Sequence, residues 1–294
     1  MLERRHVGLT GPPSFGLTMA RMFGFIGNRS DLGARVLRSS ASILRVRRSG
    51  AQALGWGIGF YQFGEALLRR RPMDDRDVID LAEATDSVRT DVLIGHVRNP
   101  HIGALRTENT QPFRYRLWLY AQTGTILGFE HLSGRLLDSQ PDFLRRNVRG
   151  ETDSELSFYL FLSFLHDSGH LDEQSVDPQH ISAALRASVA LVDRLSAEEG
   201  HGPNQGDILV TNGEHLLLVH RSGKAALRVL KGRYDVEELL GEEETRRARI
   251  PSVESTRFCI VASELEEVRR DWTPIETRSI VTLTRSADPI IEKL

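Results

Sequence analysis

Cysteine is almost absent from this chain, since only Cys259 among 294 residues carries a thiol. A single cysteine excludes a disulfide within the chain and a zinc site built from several cysteines. The sequence also lacks any run of about 18 apolar residues, and Gly11, Pro12 and Pro13 interrupt the region where a signal peptide would need its apolar segment. We therefore predict a cytoplasmic protein with no membrane partner.

Neither sign of charge dominates. The 38 basic and 40 acidic residues give a formal net charge of -2, which provides no electrostatic reason to expect a nucleic-acid partner. Hydrophobic residues make up 40% and charged residues 27%, as in ordinary globular proteins. The composition thus predicts a folded protein with a buried core.

Segments with strand character occupy both ends of the chain, and helical patterns occupy its middle. Strands are predicted at 22–27, 55–61, 92–98, 113–121, 257–262 and 279–284, together with a hairpin of 208–211 and 216–219 around Asn212-Gly213. Helices are predicted at 129–148, 153–165 and 178–198. This order favours an α+β layered fold over an alternating parallel one.

Several residues that could carry chemistry have simpler explanations. His166 and His170 have the spacing of a metal-binding pair, but Gly169 places them at a helix end, so we predict no metal site and no cofactor. His96 is interpreted as a packed core histidine because no nucleophile motif is near it. Cys259 lies in an apolar strand and is interpreted as an inert buried thiol.

A set of short segments carries more information together than any residue does alone. In chain order they are Met19-Ala20-Arg21-Met22-Phe23-Gly24, Gly95-His96-Val97-Arg98, Glu108-Asn109-Thr110-Gln111-Pro112-Phe113, Tyr120-Ala121-Gln122-Thr123-Gly124 and Glu151-Thr152-Asp153-Ser154-Glu155. Their order and spacing resemble the class II glutamine amidotransferases, a family of N-terminal-nucleophile hydrolases. Residues 55–61, 207–216 and Val261-Ala262-Ser263-Glu264 extend the resemblance towards the end of the chain.

This resemblance implies a four-layer αββα sandwich of the N-terminal-nucleophile (Ntn) hydrolase type. It also implies a single glutamine amidotransferase-like domain at 19–294, preceded by a flexible extension at 1–18. In the family the opening reads Met-Cys-Arg-Leu and the turn reads Ala-His-Asn-Gly. Position 20, where the family has its cysteine nucleophile, is alanine in this chain.

The resemblance also assigns roles to individual positions. Ala20 stands at the nucleophile position, and Thr123 and Gly124 stand where the family's asparagine and glycine form the oxyanion hole. A methyl group cannot attack an amide, a threonine hydroxyl is too short to replace the asparagine amide, and residues 1–18 precede the position that needs a free α-amino group. Arg98 and Asp153 match the residues that bind the carboxylate and the ammonium group of glutamine.

These matches predict a pseudoenzyme, meaning a catalytically inactive protein that acts as a ligand-binding or protein-interaction module. The expected partners are glutamine or another amino-acid-like ligand, a protein, or both. For Arg98 and Asp153 a purely structural interpretation stays open, as an ion-pair partner and a helix cap. Two alternative functions also stay open: an active amidohydrolase in which alanine has been substituted for cysteine at position 20, and a pure scaffold.

Overall fold

Two β-sheets face each other at the centre of the computed structural model, which describes residues 21–48, 53–98, 102–241, 243, 253–286 and 288–294. The larger sheet has seven strands, which in spatial order are β13 (Thr273–Ile275), β11 (Ala225–Lys231), β12 (Arg257–Ser263), β1 (Arg21–Gly27), β6 (Val92–Arg98), β3 (Leu54–Gln62) and β4 (Glu65–Asp74). The smaller sheet has six, in the order β15 (Ile290–Lys293), β14 (Ser279–Thr284), β10 (His215–His220), β9 (Ile208–Thr211), β8 (Trp118–Gln122) and β7 (Phe113–Tyr115). Within the described ranges every strand pair is antiparallel.

Helices cover the outer face of each sheet. Beside the larger sheet lie α1 (Gly33–Ser39), α2 (Ala41–Leu44), α3 (Leu81–Thr85) and α8 (Gly232–Leu240), with a small ribbon of β2 (Arg45–Arg47) and β5 (Val78–Asp80). Beside the smaller sheet lie α4 (Phe129–Asp138), α5 (Asp142–Arg145), α6 (Asp153–Asp167) and α7 (Pro178–Glu198). A 3-10 turn covers Val253–Ser255.

Apolar side chains fill three interfaces between these layers, because successive residues of a strand point to opposite faces of its sheet. Met22 and Ile94 of the larger sheet meet Leu209 and Leu216 of the smaller sheet in the space between the two sheets. Phe23 and its neighbours pack outward against the first helical layer, and the smaller sheet packs against α6 and α7. The molecule is therefore an αββα sandwich, as predicted.

Aromatic packing fixes the position of helix α6. Tyr120 of β8 stacks on Phe158 with 5.1 Å between ring centroids, and Trp118 meets Phe161 edge-on at 5.5 Å. The helix begins after Thr152, whose hydroxyl accepts a hydrogen bond from Glu155 N and so caps the first turn. As a result, Asp153 lies at the start of a helix that is anchored directly on β8.

Two predicted elements are divided in the structure. The strand predicted at 113–121 is the hairpin of β7 and β8, which turns at Arg116 with φ of 53°. The helix predicted at 129–148 is wrong in its middle, where α4 ends and α5 begins after Pro141. Proline has no N–H to donate and disfavours helical backbone in the residue before it, which explains the break.

Among the described residues, no helix is long and apolar enough to cross a membrane. The extension predicted at 1–18 and the position of Ala20 lie outside the described residues.

Candidate functional site

The strand that follows Ala20 lies in the middle of the larger sheet. β1 begins at Arg21, and Met22 pairs with His96 on one side and with Ser263 on the other. Residues directly opposite each other on neighbouring strands point to the same face, so His96 and Ser263 flank Met22 in the space between the sheets. Arg21 points to the opposite face, where its Nη1 donates to Ile43 O at 2.7 Å.

Thr123 and Gly124 form the turn that follows β8. The Thr123 N–H donates to Asp207 O, and Thr123 Oγ1 accepts a hydrogen bond from Asp207 N, both at 2.9 Å. The Thr123 hydroxyl in turn donates to Glu264 Oε1 at 3.2 Å. A hydroxyl has one hydrogen, so a Thr123 that donates to Glu264 has none left for a bound ligand.

Gly124 needs its lack of a side chain. Its φ is 75°, in the left-handed region that glycine adopts without penalty. A Cβ at this position would lie 2.9 Å from Gly206 Cα and closer still to the carbonyl oxygen of Gln205. Among the described residues none accepts a hydrogen bond from the Gly124 N–H, so this turn retains one backbone donor.

Glu264 brings a carboxylate to this turn. It is half-buried at the end of β12 and has a φ of 57°, which is rare for a residue with a long side chain. Burial raises the pKa of Glu264, and the nearby charge of Asp207 raises it further. Through its contact with the Thr123 hydroxyl, this carboxylate connects the end of β12 in the larger sheet to the end of β8 in the smaller sheet.

A fully buried hydrogen bond also involves Asp207. His220 Nδ1 is 2.9 Å from Asp207 Oδ2, and neither side chain is exposed. Asp207 Oδ1 accepts a hydrogen bond from Arg221 N at 2.7 Å, while His220 Nε2 has no partner among the described residues. Asp207 thus holds the turn through its backbone and the β10 end through its carboxylate.

Arg98 ends β6 and holds the loop that follows. Its Nη1 donates to Ala104 O at 3.2 Å, and its Nη2 donates to Gly103 O at 2.9 Å and to Ile102 O. Burial lowers the pKa of Arg98, and the negative charge of Asp153 opposes this effect. Arg98 as a whole is 5% exposed, so its charge is largely removed from water and is compensated mainly by backbone carbonyls.

Asp153 is equally buried and also bonded within the chain. Its Oδ2 accepts from Ile126 N at 2.8 Å, and its Oδ1 accepts from Ser154 N at 2.8 Å and from Ser154 Oγ at 3.2 Å. Burial raises the pKa of Asp153 despite these three hydrogen bonds. Arg98 and Asp153 attract each other but form no ion pair within 4.0 Å among the described residues. Asp153 holds the loop after the Thr123 turn through Ile126, and Arg98 holds the loop at 102–104.

His96 is buried, as the sequence predicted. It is 2% exposed, and its ring nitrogens make no hydrogen bond of good geometry among the described residues, although the Gln122 backbone lies close enough to favour the protonated ring. Burial, aided by the positive charge of Arg98, lowers the pKa of His96 to about 3. Ser263, 1% exposed on the other side of Met22, has a hydroxyl that is equally without a described partner.

Sequence reasoning named Thr123, Gly124, Arg98 and Asp153 but missed Glu264, although the Val-Ala-Ser-Glu segment was part of the resemblance. Its contact with Thr123 spans 141 positions of the chain. A search for acidic residues directly after predicted central strands would have found it.

The histidine pair considered for metal binding is separated in the structure. His170 stacks on His180 with 3.7 Å between ring centroids and contacts Glu173, while His166 packs edge-on against Phe143. In the part of the chain that the structure describes, no group of three or more His, Cys, Asp or Glu side chains is arranged to hold a metal ion. Cys259 is buried, and burial raises the pKa of its thiol.

Solved structures share this architecture. A glutamine aminotransferase class-II domain protein from Silicibacter pomeroyi aligns with a TM-score of 0.56 and 16% identity, over 93% of this chain and 98% of that one. A predicted glutamine amidotransferase from Pseudomonas aeruginosa gives 0.55 and 19%, over 90% and 93%. The glutamine phosphoribosylpyrophosphate amidotransferase of B. subtilis gives 0.51 and 15%, over 93% of this chain and 49% of that one. The fold is therefore that of the Ntn-type hydrolases.

Comparison of the amino-acid sequence with known families identifies the family of this chain. Residues 27–289 match the family described as "Glutamine amidotransferases class-II", and this chain belongs to that family. It is also 28% identical over 274 residues to "Probable glutamine amidotransferase DUG3" of Saccharomyces cerevisiae, over 84% of this chain and 74% of the relative. The family match begins at residue 27, so Ala20 lies outside it.

Proposed function

We propose that this protein is a glutamine amidotransferase-like pseudoenzyme, which has no glutaminase activity and uses the family's pocket as a binding module. The observation that carries the proposal is the hydrogen bond from the Thr123 hydroxyl to Glu264. Thr123 stands where the family has its asparagine, and this hydrogen bond directs the Thr123 hydroxyl to a carboxylate. A carboxylate repels a developing oxyanion and does not stabilise it. The proposed domain is 19–294, with 1–18 as an extension.

Two further features support the loss of activity. Alanine at position 20 has no lone pair, and the loss of a catalytic nucleophile costs on the order of 10⁶-fold in well-studied hydrolases. Removal of one oxyanion donor costs about 10² to 10³-fold. The Gly124 N–H, the oxyanion donor that remains, could not offset either loss of rate.

The buried charges of Arg98 and Asp153 support a retained pocket. Arg98 and Asp153 are both at least nine-tenths buried, and charged groups in such places are costly unless a function or a partner maintains them. Both, however, already bond to the backbone of their own chain. This favours, as a second candidate, a scaffold in which the two residues only hold the loops at 102–104 and 126.

Two measurements on the full chain test these candidates. Ammonia release from L-glutamine, followed by a coupled assay, is expected to stay at the background rate; release that Arg98→Lys reduces would contradict the proposal. Calorimetric titration with L-glutamine and L-glutamate then separates the binding module from the scaffold. Saturable binding that Asp153→Asn weakens supports the module, and no binding by a folded protein supports the scaffold.

A further inference from the structure

A groove of about 610 Å³ lies at the end of the sandwich opposite the Thr123 turn. Leu117, which lines the groove, precedes β8, whereas Thr123 follows that strand. Asn212, which also lines it, follows β9, whereas Asp207 precedes that strand. The groove is therefore separate from the family's pocket, and a role for it goes beyond the proposed function.

Phe63 lies at the tip of the β3–β4 hairpin, where it lines the groove with its side chain completely exposed. Phe63 and Gly64 form the turn between the paired residues Gln62 and Glu65, with φ of 54° and 79°. Two positive φ values define a type I′ turn, in which asparagine before glycine is preferred and a bulky residue is rare. In the isolated chain this ring only exposes apolar surface from a strained backbone position, whereas burial against a partner would be favourable.

Hydrogen bonds within the chain fix the shape of the groove beside this ring. The Tyr61 hydroxyl donates to Leu117 O at 2.6 Å and so connects β3 to the start of β8. Arg285 Nε donates to Asp91 Oδ2 at 2.7 Å, and the same guanidinium donates to Gly213 O in the β9–β10 turn. The groove is thus preformed, and a preformed site loses little conformational entropy on binding.

Two side chains of opposite charge, Arg89 and Glu214, also line the groove. Arg89 is exposed, and Glu214 is half-buried with a carboxylate that accepts a hydrogen bond from Ser175 Oγ at 2.8 Å. Neither forms an ion pair within 4.0 Å in the described part of the chain. Asp31, which feels the charge of Arg89, is already paired with Arg29. The groove therefore offers one positive and one negative side chain to a partner.

An exposed ring beside a groove, with one unpaired charge of each sign, makes a surface that is complementary to a copy of itself. In a two-fold dimer the same patch of both subunits meets, so each contact occurs twice with the subunits exchanged. We propose that this end of the sandwich is a dimer interface, in which Phe63 of each copy enters the groove of the other and Arg89 of each copy pairs with Glu214 of the other. A different partner would explain the ring or one charge, whereas a second copy uses the ring, the groove and both charges.

Sedimentation equilibrium of the full chain over a range of concentrations is expected to show a dimer with twice the 33.0 kDa mass of the chain. Phe63→Asn is expected to raise the dissociation constant at least about 30-fold, because each dimer loses two aromatic anchors. This variant should fold, since asparagine before glycine is the preferred type I′ turn. Met73→Asn is the matched control: it replaces another exposed apolar residue, near the other end of β4, and should leave the dissociation constant unchanged.

Charge reversal tests whether the partner is a second copy. Arg89→Glu and Glu214→Arg are each expected to dimerise at least about tenfold more weakly than the unmodified chain, because like charges then meet across the interface. An equimolar mixture of the two variants should form a heterodimer about as tight as the unmodified dimer, since opposite charges meet again at both contacts. The inference is overturned if the unmodified chain stays monomeric at every concentration, if Phe63→Asn dimerises as well as Met73→Asn, or if the mixture associates no better than its components.

Discussion

The Thr123 hydroxyl donates to Glu264 Oε1 at 3.2 Å and so links the ends of the two central sheets. Thr123 follows β8 of the smaller sheet, and Glu264 follows β12 of the larger one. The same hydroxyl accepts a hydrogen bond from Asp207 N, which fixes its direction. This contact places a carboxylate beside Thr123 and Gly124, the turn where the resemblance to the family leads us to expect oxyanion donors.

Cysteine at position 20 alone is therefore not expected to restore activity. In a chain produced to begin at residue 20, Ala20→Cys supplies a thiol and an α-amino group, but Thr123 still directs its hydroxyl to Glu264. The double variant Ala20→Cys/Thr123→Asn is expected to release ammonia from glutamine about 10² to 10³-fold faster than Ala20→Cys, because it regains an amide donor. Thr123→Asn alone is the control and should stay inactive. Equal rates for the single and double cysteine variants would show that Thr123 does not limit the chemistry.

Arg98→Ala is expected to destabilise the fold whether or not a ligand binds. The guanidinium donates to the carbonyls of Ile102, Gly103 and Ala104, and hydrogen bonds to charged groups contribute about 1.5 to 3 kcal/mol each. Urea unfolding should show a loss of at least about 2 kcal/mol, with faster hydrogen exchange at 102–106. Arg114→Ala is the control, because the side chain of this exposed arginine makes one hydrogen bond within the described residues, to Ala66 O. A loss no larger than that of Arg114→Ala would mean that Arg98 is not a structural anchor.

His96 is expected to make stability depend on pH. Its pKa is about 3 in the folded protein, because burial and the charge of Arg98 disfavour the cation, and about 6.5 in the unfolded chain. Between these two values the unfolded state binds the additional proton, so the free energy of unfolding falls as the pH is lowered, by up to about 1.4 kcal/mol per pH unit. Above pH 7 both states are neutral at this position and the effect is absent.

The check compares the unmodified protein with His96→Gln, which cannot take up this proton. Urea unfolding at pH 7.5 gives the reference difference between the two proteins, and this difference should shift in favour of the variant as the pH is lowered from about 6.5 towards 4. A difference that stays constant over this range would show that His96 is protonated equally in both states. In NMR spectra of the folded protein, the His96 ring signals should not titrate between pH 8 and 5.

Local sequence patterns predicted an α+β layered fold, whereas the αββα order and the candidate residues Arg98, Thr123, Gly124 and Asp153 came from the resemblance to the family. Asp153 begins a helix with a Thr-x-x-Glu start, and Arg98 ends an apolar strand; both features are visible over a few residues. The contact between Thr123 and Glu264 has no local signal, since it depends on how two separate sheets align. Similarly, the burial of His96 was predicted from its apolar strand, whereas the absence of a well-formed hydrogen bond to its ring depends on tertiary contacts. Local sequence patterns thus predict the helices and strands. The contacts between the two sheets, which set the chemistry of the site, cannot be predicted from them.

Gly124→Ala is expected to destabilise the turn that carries the remaining backbone donor. At φ of 75° an added Cβ would meet the backbone of Gln205 and Gly206, which cannot rotate away as a side chain can. We expect a loss of more than about 1 kcal/mol in urea unfolding, since alanine is incompatible with this backbone conformation. Gly134→Ala is the matched control: it lies in α4, where nothing lies within 4 Å of the added Cβ, and should stabilise the protein by about 0.5 to 1 kcal/mol. If both variants gained stability, the turn at Thr123 would have to adopt a different conformation in solution, and the Thr123–Glu264 contact that supports the loss of activity would lose its structural basis.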